Sequence, residues 1–218
     1  YVLYVAGLAK AAIMPLHNWL PSAMVAPTPV SALLHAVAVV KAGVFSLSRI
    51  ILSLFGVETM DSLFLGIPTA YLAAFTIVAA SIIALTKDDI KARLAYSTVS
   101  QLSYVIIGVA MLTPLAVKGG MIHIAHHAFS KITLFMAAGA IYVATRTKKI
   151  SLMGGMGWRM PFTFGAFAVA SLSMIGVPPV CGFVSKWYMA QGAVHIHHYL
   201  LLAALLGVVT PFCSCSAV

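Results

Sequence analysis

Met121 to Phe135 read MIHIAHHAFSKITLF, and this stretch decides the fold. It is apolar enough to be buried, shows none of the period-2 alternation of a barrel strand, and still carries three histidines and a lysine. His123, His127 and Lys131 recur at i, i+4 and i+8, which sets them on one slowly drifting stripe of a helix, with His126 beside it. An imidazole both donates and accepts, and exchanges its proton near neutral pH. A His–His–Lys column therefore reads as a lateral proton relay. The plainer alternative is a polar helix face that merely packs on its neighbours. A zinc site is disfavoured, because no carboxylate or thiol stands nearby in sequence.

The same habit recurs along the chain. Lys10, His35, Lys41 and Lys186 also sit inside apolar segments. A lysine at a bilayer centre costs roughly 2.5–3.5 kcal/mol on insertion scales, and residues kept there usually serve ions or protons. With 218 residues, 62% of them hydrophobic and 8% charged, the chain cannot be a water-soluble domain. It reads as an all-α, polytopic transmembrane helix bundle. An interrupted opening segment is expected near 1–25, with spans near 30–53, 63–86, 92–113, 119–145, 161–190 and 199–217. The span at 161–190 is too long for one straight crossing.

Two segments are expected to be broken helices. In GVPPVCGFVSK, Pro178 and Pro179 remove helix hydrogen bonds and Gly182 loosens the backbone just before Lys186. In AKAAIMPLHNWLPSA, Lys10 is followed by Pro15 and Pro21. A helix broken in mid-membrane exposes amides and carbonyls, tolerated only where they line a cavity or are buried in protein. A broken helix beside an ionisable residue is the recurring ion site of transporters; a simple proline kink is the alternative. Lys41 lies some 11 residues inside its span, too deep to snorkel. His35 lies six residues earlier, on a different helix face, and reads either as a relay member or as a buried structural imidazole.

The net charge of +9 is a matter of topology rather than nucleic-acid binding. Lys87, Lys91, Arg93, Arg146, Lys148, Lys149 and Arg159 fall on one side of the membrane when helices are counted alternately, against Arg49 and Lys118 on the other. That asymmetry makes the segments 87–93 and 146–159 cytoplasmic. The four carboxylates, Glu58, Asp61, Asp88 and Asp89, are all expected in loops. The buried lysines thus lack a local counter-charge. Either partner helices supply it, or the amines spend time in the neutral form. Cys181, Cys213 and Cys215 form no disulfide framework. The chain opens on Tyr1 within a hydrophobic segment, without a signal peptide's charged n-region, and reads as a piece of a longer protein.

Four runs taken in order, KAAIMPLHNWLPSAMVAPTPVSALLHAVAVVKAGVFSLSRI, DDIKARLAYSTVSQLSY, HIAHHAFSKITLF and MGGMGWRMPFTFGAFAVASLSMIGVPPVCGFVSKWYMAQGA, resemble the antiporter-like membrane subunits of respiratory complex I (NADH:quinone oxidoreductase), multi-subunit cation/proton antiporters and membrane-bound hydrogenases. Within that family the wording is closest to the antiporter D-type subunit. The resemblance covers about residues 1–195. It implies that Lys10 is the lysine of a first broken helix, paired with a glutamate on an earlier helix outside this chain. It implies that His35 and Lys41 are adjacent members of a central axis, and that His123, His127 and Lys131 are its polar column. Lys186 is then the ionisable residue of a second broken helix, on the exit side. Such subunits carry no redox centre, and electrons move in partner proteins.

The tail departs from this pattern. TPFCSCS, with Cys213 and Cys215, resembles the thiol motif of a predicted permease family, and thiolates there could bind a soft metal or metalloid. The chain therefore divides into an antiporter-like domain at 1–198 and a terminal segment at 199–218, fused or misassembled onto it. The expected function is proton translocation by a Lys/His relay within a multi-subunit complex of a prokaryotic plasma membrane, with Na⁺/H⁺ exchange left open. The expected partners are other membrane subunits and lipid, with no nucleic acid. Two other readings stand beside it: a soft-metal permease using Cys213 and Cys215, and a structural membrane subunit.

Overall fold

The computed structural model describes residues 1–7, 9–34 and 38–196. His35, Cys213, Cys215 and the whole terminal segment 199–218 lie outside the described residues.

The opening segment is broken as its prolines require. Helix α1 (Val2–Gly7) and a 3₁₀ turn at Ala9–Ala11 give way to turns, with Ala12 at φ 54° and Pro15 following, before α2 (Trp19–Ser22). Pro21 is not part of this break. It occupies the first turn of α2, where no intrahelical donor is needed. The chain continues through α3 (Thr28–Leu33), α4 (Val39–Arg49) with a π-helical extension at Ile50–Phe55, and a short α5 (Val57–Ser62). Glu58 and Asp61 sit on α5 rather than in irregular loop.

Three long helices follow: α6 (Gly66–Thr86), α7 (Ile90–Ala110) and α8 (Pro114–Thr145). Both α6 and α8 are long and apolar enough to cross a membrane. The 21 residues of α6 give about 31 Å, the thickness of a bilayer's hydrocarbon core. Helix α7 is the centre of the bundle, buried at every position from Ser97 to Ala110 and packed between α6 and α8. At its C-terminal end Gly108 meets Gly120 of α8, and a side-chain carbon added at Gly108 would stand 3.0 Å from the Gly120 Cα. Small residues thus let these two helices approach backbone to backbone. Outward positions are apolar: Phe75, Ile82, Phe129, Val143 and Val169 are all exposed.

The long span near 161–190 is two helices, α9 (Pro161–Ile175) and α10 (Cys181–His195). The break runs through Gly176–Val180, where Gly176 takes φ 87° and closes α9 in the left-handed conformation that glycine tolerates best. Gly182 lies inside α10 and does not loosen the backbone. Its role is proximity, because α10 crosses so near α9 that a side-chain carbon there would run into the Ser173 carbonyl. No strand forms among the described residues.

The two basic segments expected on one side do meet. Ile90 N–H donates to the Lys148 carbonyl at 3.1 Å, and Ile150 N–H to the Asp88 carbonyl at 2.9 Å. Asp88 accepts from Ser151 N–H at 3.1 Å and from its hydroxyl at 2.8 Å. These bonds to Ser151, with Lys149 and Arg93 nearby, hold the Asp88 carboxyl below its usual range. Asp89 caps α7 by accepting from Lys91 N–H. A depressed carboxylate stabilises its contacts above the ordinary carboxylate range and releases them as pH falls through the lowered value. Asp88→Ala should therefore speed amide hydrogen exchange at Ile150 and Ser151 at neutral pH, leaving the α6–α8 amides unchanged. Acidification of the parent protein should mimic it, and equal exchange in parent and variant at neutral pH would show that Asp88 does not hold this loop.

Candidate functional site

The ionisable residues of the long helices converge. Lys41 of α4, His123, His126, His127 and Lys131 of α8, and Lys186 of α10 are all buried, none more than 8% exposed. Lys41 interacts electrostatically with His123 and His127, Lys131 with His127, and Lys186 with His123 and His126. His123 and His126 lie edge to face with ring centroids 4.7 Å apart, and His123 and His127 stack at 6.3 Å. The row therefore runs from Lys186 through the histidines, with Lys41 alongside, to Lys131. Lys10 is exposed on its 3₁₀ turn and stands outside this cluster.

Each end of the row is held by a helix backbone. Lys186 Nζ donates to the carbonyls of Met174 and Ile175, both at 2.9 Å, and lies 4.9 Å from the centre of the Tyr104 ring. Those carbonyls belong to the last turn of α9, where the helix has no N–H to offer them and carries the negative end of its dipole. His126 Nε2 takes the neighbouring Ser173 carbonyl at 3.3 Å. At the other end Lys131 Nζ donates to the Leu94 carbonyl at 3.0 Å and to the Ser97 hydroxyl.

The middle is different. Lys41 Nζ and both ring nitrogens of His127 are buried without a hydrogen-bonding partner in the protein. Buried polar groups of this kind are stable only with water or a further polar neighbour. Beside the Lys186 end, Ser130 donates to Ser173 Oγ at 3.1 Å, and Ser173 Oγ lies 3.3 Å from the Cys181 thiol. A cleft of about 430 Å³ lined by Ser130, Thr133, Ser173 and Cys181 among apolar residues opens there.

Sequence reasoning missed the partners. Ser97, Gln101 and Tyr104 recur at i, i+4 and i+7 on the buried face of α7 and meet Lys131, His123 and Lys186 respectively. The signal was present in ARLAYSTVSQLSY, five hydroxyl or amide side chains among apolar ones from Ser97 to Ser103. Polar residues at helical spacing within a span mark a face that meets other polar groups. Ser185, next to Lys186, was also passed over; its hydroxyl lies 2.9 Å from His123 Nδ1.

Residues 1–212 match the family model described as NADH:quinone oxidoreductase/Mrp antiporter, transmembrane. NADH-quinone oxidoreductase subunit N of Desulforudis audaxviator is 38% identical over 207 residues, covering 94% of this chain and 41% of that protein. Among solved structures, a chain of the Mrp complex from Dietzia sp. superposes with a TM-score of 0.89 at 26% identity, covering 98% of this chain and 39% of that one. A chain of the archaeal membrane-bound sulfane sulfur reductase gives 0.81 at 29% identity, covering 97% and 42%. The chain thus spans about two fifths of the length of these relatives. They give the soft-metal permease reading of Cys213 and Cys215 no support.

Removing a hydrogen-bond partner from a buried amine should cost stability. Ser97→Val, close to isosteric, is expected to destabilise the detergent-purified protein by about 1–3 kcal/mol, seen as a lower thermal midpoint. An unchanged midpoint would show that Lys131 does not depend on that hydroxyl.

Proposed function

Because this chain belongs to the NADH:quinone oxidoreductase/Mrp antiporter transmembrane family and is an integral membrane protein, we propose that it moves protons across a membrane as part of a multi-subunit complex, along the row Lys186, His126, His123, His127, Lys131 with Lys41 at its middle. The single observation that carries this reading is the row itself: six ionisable side chains buried together at the centre of a membrane bundle. Structural polar groups can be paired off and forgotten. Here Lys41 and His127 are not paired within the protein, and water between them would join the two held ends.

Mutual repulsion gives the row its direction of use. The four carboxylates all lie away from it, on α5 and the α6–α7 connection. Six basic groups without a counter-charge cannot all be protonated at once, since like charges in a low-dielectric interior repel by several kcal/mol. Loading one site therefore favours unloading the next, which is how charge is handed along a chain of coupled groups. Lys10 and His35 would extend the row toward partner helices, and the cleft at Ser130, Ser173 and Cys181 would give it an opening.

In this reading the partners are other membrane subunits, any redox chemistry takes place in them rather than in this chain, and Na⁺/H⁺ exchange is a second mode of the same site. The paired loops at Asp88 and Ser151 would face the cytoplasm of a prokaryotic cell, with the basic residues of 87–93 and 146–159 around them.

The test is proton flux in proteoliposomes holding the intact complex. Lys131→Ala should abolish translocation while the complex still assembles. Lys131→Arg should fail as well, because a guanidinium keeps its proton throughout the physiological range. Near-normal pumping by the arginine variant would mean that Lys131 is a fixed structural cation and would defeat the relay.

A further inference from the structure

Ser185 is fully buried, and its hydroxyl stands 2.9 Å from His123 Nδ1, 3.5 Å from His126 Nδ1 and 3.1 Å from the Gly182 carbonyl. A hydroxyl has one hydrogen to give and lone pairs to accept with. The far sides of the two rings decide what it meets. His126 Nε2 faces the Ser173 carbonyl, which only accepts, so that nitrogen carries the ring proton and leaves Nδ1 a bare lone pair. His123 Nε2 faces Gln101 Oε1 at 3.1 Å, also an acceptor, with the same consequence. When both rings are neutral, two bare Nδ1 atoms and a carbonyl compete for one hydrogen. An acceptor buried without a partner is costly.

One added proton removes the conflict. Placed on His123 Nδ1, it donates to Ser185 Oγ, whose own hydrogen then serves His126 Nδ1. Placed on His126 Nδ1, the same bonds form in the opposite sense. We propose that His123, Ser185 and His126 form a unit built to hold one shared proton, with Ser185 as the obligate link between the rings and Gln101 as the residue that sets the tautomer of His123.

The transfer balances without any other reactant. The N–H bond at His123 Nδ1 breaks as its proton passes to Ser185 Oγ, and the former Ser185 O–H bond breaks as that hydrogen passes to His126 Nδ1. The hydroxyl is regenerated, one positive charge has moved from ring to ring, and no electron changes owner. The groups around the unit control its loading. Lys186 of α10 acts electrostatically on both rings and Lys41 of α4 on His123, while His127 and Lys131 lie further along α8 and the Tyr104 ring of α7 stands 5.9 Å from His123. No carboxylate among the described residues joins them. A proton arriving on Lys186 or Lys41 therefore repels the shared one and pushes it onward.

This proposal rests on the proton-translocation reading, so the experiment carries both. Proton flux is measured in proteoliposomes of the intact complex for the parent, Ser185→Ala, Ser185→Thr, Gln101→Glu and Lys131→Ala, with assembly checked on native gels. Ser185→Ala should assemble and lose about tenfold or more in flux, the range of a lost proton-transfer group, and Ser185→Thr, which keeps the hydroxyl, should recover most of it. Gln101→Glu keeps an acceptor at His123 Nε2 but adds a charge that binds the shared proton, so its flux optimum should move to higher pH. A merely structural role would not move that profile. Ser185→Ala pumping at the parent rate, Ser185→Thr as inactive as Ser185→Ala, or an unmoved optimum in Gln101→Glu would overturn the shared-proton unit. If Lys131→Ala stops flux while Ser185→Ala does not, only the unit falls. If Lys131→Ala pumps normally, the function falls and the unit with it.

Discussion

A helix that stops inside a bilayer leaves its last four carbonyls without partners, and hydrocarbon offers them none. Helix α9 stops at Ile175, and every one of its four is taken. Leu172 accepts from the Gly176 and Val177 amides, Ser173 from His126, and Met174 and Ile175 from Lys186. The bonding answers two needs together. The carbonyls need donors, and a buried ammonium needs acceptors together with the negative end of a helix dipole. Either alone would be costly at this depth. Gly176 and Gly182 matter because they permit the geometry: one turns the chain out of α9 and the other lets α10 lie against Ser173.

The other held end uses a different device. Ser97 and Thr98 turn their hydroxyls back onto the Leu94 carbonyl, at 3.0 and 2.8 Å, and Lys131 joins the same group. Here the helix does not break. Its interior carbonyls have a second lone pair, and side chains that bond back to their own turn gather polar atoms at one point. The bundle thus anchors Lys186 on a helix end and Lys131 on a helix side. Close packing of α7 on α8 through Gly108 and Gly120 brings both anchors within reach of one row of histidines.

The fold was largely legible because a membrane leaves few choices. Long apolar runs had to be helices, and the prolines near 15 and 178 had to interrupt them. The errors were local. Pro21 was counted as a breaker although the first turn of a helix needs no donor from it. Gly182 was taken as a loosened backbone although its missing side chain serves close approach, a property of two helices that one helix's sequence does not display. The site was legible where charge sits in apolar sequence, at Lys41, His123, His127, Lys131 and Lys186. Its hydroxyl and amide partners were not, because serines are common in packed membrane helices and only the neighbour's register shows which of them face a cation. Ser97, Gln101 and Tyr104 share a face of α7, but that this face meets α8 and α10 is a tertiary fact.

The unequal satisfaction of the row follows from what it has to do. A lysine with two good acceptors is fixed in place and keeps its geometry whether its neighbours are charged or not. Lys131 and Lys186 are of this kind. A relay built only of such groups would not pass anything on, since each proton would sit in its own well. Lys41 and His127, buried without a protein partner, form no such well. Low dielectric makes any charge there felt strongly by both sides. Fixed ends thus define where a proton can wait, and the unsatisfied centre defines where it can be moved by its neighbours. A fully paired row would make a more stable bundle and a poorer conductor. The residues that cost this fold stability are accordingly the ones on which its function rests.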